Sequence, residues 1–248
     1  MMFEEETGTL FMALTTVTTN YLHSIIGMDV GCSDTVYTAW DHSGANVNTR
    51  ISSMAIMGDY MYFHTFGAAV TLTGSSLYKV GIRHWNSDMT PEKIIGNGGT
   101  ADETSNMPSN NTVFSASDIW VPVVDRMHAF RGRIYGCASK HIFSIDPITR
   151  NYQRYIGTPS SLGHLPATCP STGSCHRLDN GVLTGPSEFH FHERTNTIYV
   201  LDQYQIDGYD LDTGVGRRVV GDGSNVDFTN LYTYTTTTQG ILGDTSLF

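Results

Sequence analysis

Two stretches of this chain repeat one another, without a gap, at a spacing of 64 residues. Residues 134–157 read IYGCASKHIFSIDPITRNYQRYIG, and residues 198–221 read IYVLDQYQIDGYDLDTGVGRRVVG. The alignment sets Ile134 on Ile198, Ile142 on Ile206, Asp146 on Asp210, Arg154 on Arg218 and Gly157 on Gly221. Looser copies end at Gly96 and at Gly27. A period of this size means one supersecondary unit stacked several times, because a single unit cannot bury its own apolar face.

Inside each copy the apolar residues alternate rather than recurring every three or four. Ile198-Tyr199-Val200-Leu201 is short, aromatic and β-branched and stops at Asp202; QIDGYDL alternates up to the turn Asp212-Thr213-Gly214; GRRVVG closes at Gly221. These read as three strands of an antiparallel meander divided by Asp/Gly turns. One more strand precedes each: SEFHFH (187–192), DRMHAF (125–130) and RISSMAIM (50–57). Four strands per repeat make a propeller blade, and stacking blades around an axis covers both faces of every sheet. The expected fold is therefore all-β, a β-propeller.

The phrase NTIYVLDQYQIDGYDLDTG, followed by RVVGDG, resembles an NHL-type repeat. Residues 196–223 match that pattern well. Residues 132–157 depart from it at Cys137-Ala138 and at Gly157-Thr158-Pro159, and residues 60–99 match mainly at the closing IIGNGG. The resemblance implies a propeller and no particular activity, since such repeats serve both binding modules and several enzymes.

The chain opens on TGTLFMAL, which aligns with GSSLYKV (74–80), and ends on ILGDTSLF (241–248), which aligns with IMGDYMYF (56–63). The expectation is one propeller domain over 1–248 with four blades, repeats ending near Gly27, Gly96, Gly157 and Gly221, and residues 222–248 pairing with 1–27 to close the last blade. The alternative is a segment of a larger, six-bladed propeller. TNLYTYTTTT (229–238) is alternating and uncharged, and reads as a strand, the innermost of the ring.

Composition excludes some partners. The formal net charge is −10 and the only lysines are Lys79, Lys93 and Lys140. Nucleic-acid backbone and anionic membrane both call for a basic stripe, so neither is expected. No apolar run reaches the length of a membrane span, and the start, MMFEEETG, lacks signal-peptide character. Cys169 and Cys175 bracket a Pro/Ser/Gly loop and form a disulfide candidate, while Cys32 and Cys137 read as buried thiols or a second bridge. Asn110 begins the glycosylation sequon Asn110-Asn111-Thr112. Few lysines, the sequon and the cysteine loop together favour an extracellular or particle-surface setting.

Histidine is the one source of catalysis in the pattern. His190 and His192 alternate on a strand and so share a face, and His128 aligns with His192. The three are a candidate channel metal site for a metal-dependent hydrolase or lyase; otherwise no cofactor is expected. Asp146 and Asp210 recur at one phase of the repeat and, with Asp202, read as turn-forming carboxylates. GDG and GNGG lack the following helix of a phosphate loop. Trp85 in IRHWNSD is a candidate anchor for a partner, beside Trp40 and Trp120. The long polar insertions 97–119 and 158–186 should gather on one face of the disc. The reading is a non-enzymatic binding module for a protein or a glycan. Its alternatives are the histidine enzyme and a structural subunit that assembles with itself or with neighbouring chains in a filament or particle.

Overall fold

The computed structural model describes residues 2–5, 8–15, 23–29, 36–41, 49–67, 76–82, 91–96, 111–115, 126–138, 140–157, 183–203 and 205–221. Seventeen strands are found among them, in four antiparallel sheets. The first holds β1 (Met2–Glu4), β2 (Thr9–Thr15), β3 (His23–Asp29) and β4 (Val36–Asp41) in sequence order. The second holds β5 (Thr49–Met57), β6 (Tyr60–Gly67), β7 (Ser76–Gly81) and β8 (Glu92–Ile95). The third has β9 (Thr112–Val113) on its edge, next to β13 (Asn151–Ile156), after β10 (Arg126–Phe130), β11 (Arg133–Ala138) and β12 (His141–Ile145). The fourth holds β14 (Pro186–His192), β15 (Thr197–Asp202), β16 (Gln205–Asp210) and β17 (Gly216–Gly221). The chain is all-β and takes the four-bladed β-propeller class that its repeat predicts.

The meander follows from local chemistry. The β14–β15 hairpin turns through a single 3-10 turn at Glu193–Thr195, closed by Asn196 in the left-handed region. Gly157 lies at φ 90, and a Cβ there would collide with the Lys140 carbonyl and His141 Cα, so only glycine fits where β13 ends. Two inner strands are buried without a break: β12 throughout, and β6 from Met61 to Thr65. That is how a strand reads when its sheet is covered on both sides.

By its contacts the chain divides into two compact units, Met1–Gly136 with Ser144–Gln153, and Cys137–Phe143 with Arg154–Phe248. In the first unit Phe11, Ile51, Met54, Met61, Phe63, Val80 and Ile82 form one apolar cluster, and Phe63 stacks on Tyr78 at 5.4 Å between centroids. In the second, Phe189, Phe191, Ile198 and Val200 fill the buried face of the fourth sheet.

Two expectations change. Gly27 does not end a repeat: it lies inside β3, opposite Tyr37 of β4, and the sheet runs on to Asp41. Its phrase SIIGM looks like the closing KIIGN of the second sheet, but β3 still has an edge that β4 satisfies. The insertion 97–119 is also not all loop. Its β9 adds to β13, with Asn151 opposite Val113, and Phe114 packs edge-on against Tyr152 at 5.9 Å. This covers an outer edge that would otherwise stand open. Residues 222–248, with the expected closing and innermost strands, lie outside the described residues.

Candidate functional site

The recurring aspartates hold turns. Asp146 Oδ1 accepts from the backbone N–H of Ile148 at 2.8 Å and of Thr149 at 3.0 Å. Asp210 Oδ1 accepts from Asp212 N at 3.0 Å, Thr213 N at 2.7 Å and the Thr213 hydroxyl at 2.9 Å. The Thr213 bonds hold the Asp210 carboxyl below the usual carboxylate range. Asp202 is buried and reaches backwards instead, accepting from Thr184 N at 2.9 Å and Gly185 N at 2.7 Å. It thereby fixes the end of the 158–186 insertion where the chain enters β14. Asp202→Ala would leave those N–H groups without their acceptor; urea unfolding should show a loss of about 2 kcal/mol. Unchanged stability would show that Asp202 does not anchor the segment.

His190 and His192 are exposed on one face of β14, alternating with the buried Phe189 and Phe191. His192 Nδ1 accepts from Thr195 N at 3.3 Å and lies 2.8 Å from the Thr195 hydroxyl, so it caps the 3-10 turn. His128 is half-buried on β10. Among the described residues no group of three or more His, Cys, Asp or Glu side chains is placed to hold a metal ion. Cys137 is a buried thiol whose Sγ donates to the Pro186 carbonyl at 2.9 Å. Trp85, Trp120, Asn110, Cys32, Cys169 and Cys175 lie outside the described residues, and so does most of 158–186. Trp40 falls on β4.

Two arrangements were not read from the sequence. The first is an exposed cluster in the first unit. Lys79 pairs with Glu92 at 2.9 Å and sits 5.2 Å from the centre of the Tyr60 ring. Arg150 approaches Glu92 from the third sheet, at 3.8 Å. Tyr60 is 44% exposed and Ile148, at the tip of the Asp146 turn, is 90% exposed. Arg150 holds φ 59, where the equivalent turn 64 residues on places Gly214 at φ 71. A left-handed arginine costs roughly 1 kcal/mol, and exposed ion pairs return little. Stability alone does not account for an arginine at this position.

The second is a buried polar row in the fourth sheet. Gln205, Asp207 and Tyr209 alternate with Ile206 and Gly208 on β16, and all three are buried. Gln205 Nε2 donates to the two Asp207 oxygens at 2.8 and 2.9 Å. Burial pushes the Asp207 carboxyl up to about 7, the Gln205 bond opposes that rise, and the charge of Asp202 adds to it.

No protein-family model matches the chain. No curated protein matches it either. Among solved structures it is similar to the extracellular domain of BT4673 from B. thetaiotaomicron, described as a one-component system, at 11% identity and a TM-score of 0.42. A second structure of that domain, described there as part of a hybrid two-component system, gives 13% identity and a TM-score of 0.38. Each match covers 84% of this chain and 22% of the other, so the chain spans about a fifth of those relatives' length.

Proposed function

We propose that this chain is a non-enzymatic binding module, extracellular or part of a surface assembly, and that it docks a protein partner. The observation that carries the reading is the Tyr60–Lys79–Glu92–Arg150 cluster beside Ile148. It joins an exposed aromatic to an arginine in a left-handed backbone position, and the Asp146 turn that carries this arginine also presents the exposed Ile148. Tyrosine and arginine are the residue types that dominate interface energetics. The carboxylates of Asp146 and Asp210 are spent on turns. The polar insertions would extend the surface, and among the described residues no helix is long and apolar enough to cross a membrane. A glycan is the second reading, since the Tyr60 ring beside Lys79 offers a stacking face with polar groups at its rim.

A photo-crosslinking residue at Ile148 should capture one protein from the native source, and the captured protein then serves as the probe. Arg150→Gly should weaken its binding tenfold or more while raising stability by about 0.5–1 kcal/mol, because glycine relieves the left-handed backbone. Unchanged binding in Arg150→Gly would remove the cluster as the docking site. A loss of stability would make Arg150 structural.

A further inference from the structure

The buried face of the fourth sheet brings four oxygen-bearing side chains together. The register sets Asp202 opposite Gln205, Val200 opposite Asp207, and Ile198 opposite Tyr209, and residues directly opposite in an antiparallel pair point to one side. Asp202, Gln205, Asp207 and Tyr209 are each at most 1% exposed. Around them the same face carries Phe189, Phe191, Ile198 and Val200. The Asp202 and Asp207 carboxylates lie within electrostatic reach of each other and of the Tyr209 phenol. Gln205 turns its Nε2 to Asp207, and among the described residues neither Gln205 Oε1 nor Tyr209 Oη meets a hydrogen-bond partner. Buried polar atoms are rarely left in that state, because the loss of hydration goes uncompensated.

We propose that this row is a calcium-binding site, formed by carboxylate oxygens of Asp202 and Asp207, the Gln205 amide oxygen and the Tyr209 hydroxyl. Two carboxylates match the charge of a divalent cation, and the Tyr209 hydroxyl gains the partner it lacks. The donors are all oxygen, with no thiolate or imidazole among them, which selects a hard ion over zinc or copper. Calcium tolerates irregular shells and mixed carboxylate and carbonyl donors, whereas magnesium demands a near-ideal octahedron. A half-turn of the Gln205 amide exchanges its nitrogen and oxygen, so Oε1 takes the place next to Asp207 that Nε2 now occupies. The N–H bonds from Thr184 and Gly185 hold Asp202 in place, so the ion would also brace the segment entering β14. This site is separate from the exposed cluster of the first unit.

The full chain, stripped with a chelator, is titrated with calcium and, as a control, with magnesium. Calcium should raise the unfolding temperature in a concentration-dependent way, as a ligand bound only to the folded state does, and magnesium should act far more weakly. Terbium in place of calcium should emit on excitation of tyrosine, and Tyr209→Phe should remove most of that emission. Asp207→Asn, which should fold at least as well as the parent in chelator, should lower calcium affinity at least tenfold. The proposal is overturned if calcium leaves the unfolding temperature unchanged, if its effect persists in Asp207→Asn, or if the terbium signal survives Tyr209→Phe.

Discussion

In chelator, Asp207→Asn is expected to stabilise the chain by about 3 kcal/mol near pH 8 and by almost nothing near pH 4. The buried carboxyl titrates at about 7 when folded, against 3.8 for an unperturbed aspartate. Between those values the folded chain keeps a proton that the unfolded chain has released. Its contribution is therefore fully present below the lower value, and is lost as pH rises through the higher one. At about 1.4 kcal/mol per unit the gap comes to roughly 4 kcal/mol. Asparagine escapes that penalty but gives Gln205 a weaker, uncharged acceptor, which brings the gain to about 3 kcal/mol. His141, in the same unit, works in the opposite direction. Burial, and then the charge of Arg154, push it from 6.5 down to about 4. Across that window the unfolded chain binds the extra proton, so stability rises with pH. The two slopes nearly cancel in the parent, and Asp207→Asn should expose the histidine slope. Urea unfolding across pH, with hydrogen exchange of the β14–β17 amides to isolate this unit, measures both effects. Equal stability of parent and variant near pH 8 would mean that Asp207 carries no burial penalty.

Much of this fold was legible because the repeat keeps its phase. SEFHFH, Ile198–Leu201, QIDGYDL and GRRVVG became β14 to β17 in order, and the turns fell on Asp210 and Gly214. Phase fails where two segments share a phrase but not a neighbour, and at Gly27 a fourth strand overrides the apparent ending. A two-residue strand such as β9 leaves no periodicity to read; Phe114, lone and aromatic in a polar stretch, was its one signal. The candidate sites were harder. Alternation in QIDGYDL says that one side of β16 is buried, but not which side. The buried side is the polar one, Gln205, Asp207 and Tyr209, while Ile206 is half-exposed. Nor could spacing alone join Arg150 to Glu92, since their proximity comes from the packing of two sheets.

Below about pH 6.5 the first unit should lose stability at about 1.4 kcal/mol per pH unit, down to about pH 3, with His64 as the cause. The His64 ring is fully buried on β6, and burial drives it from 6.5 down to about 3. Ser52, the extra residue at the bulge between Ile51 and Ser53, places its hydroxyl 2.6 Å from His64 Nδ1. The folded state thus keeps a neutral imidazole while the unfolded chain takes up a proton. Stability is complete above 6.5 and falls as acid drives that uptake. The whole effect approaches 5 kcal/mol, a large part of what a typical domain possesses. His64→Gln keeps a polar partner for Ser52 and cannot be protonated. It should cost about 1–2 kcal/mol near neutrality through poorer packing, yet unfold at a higher urea concentration than the parent below about pH 5. The two stability curves should therefore cross. Parallel curves would remove His64 as the source of the acid sensitivity, because only a group that titrates differently in the two states can change the slope.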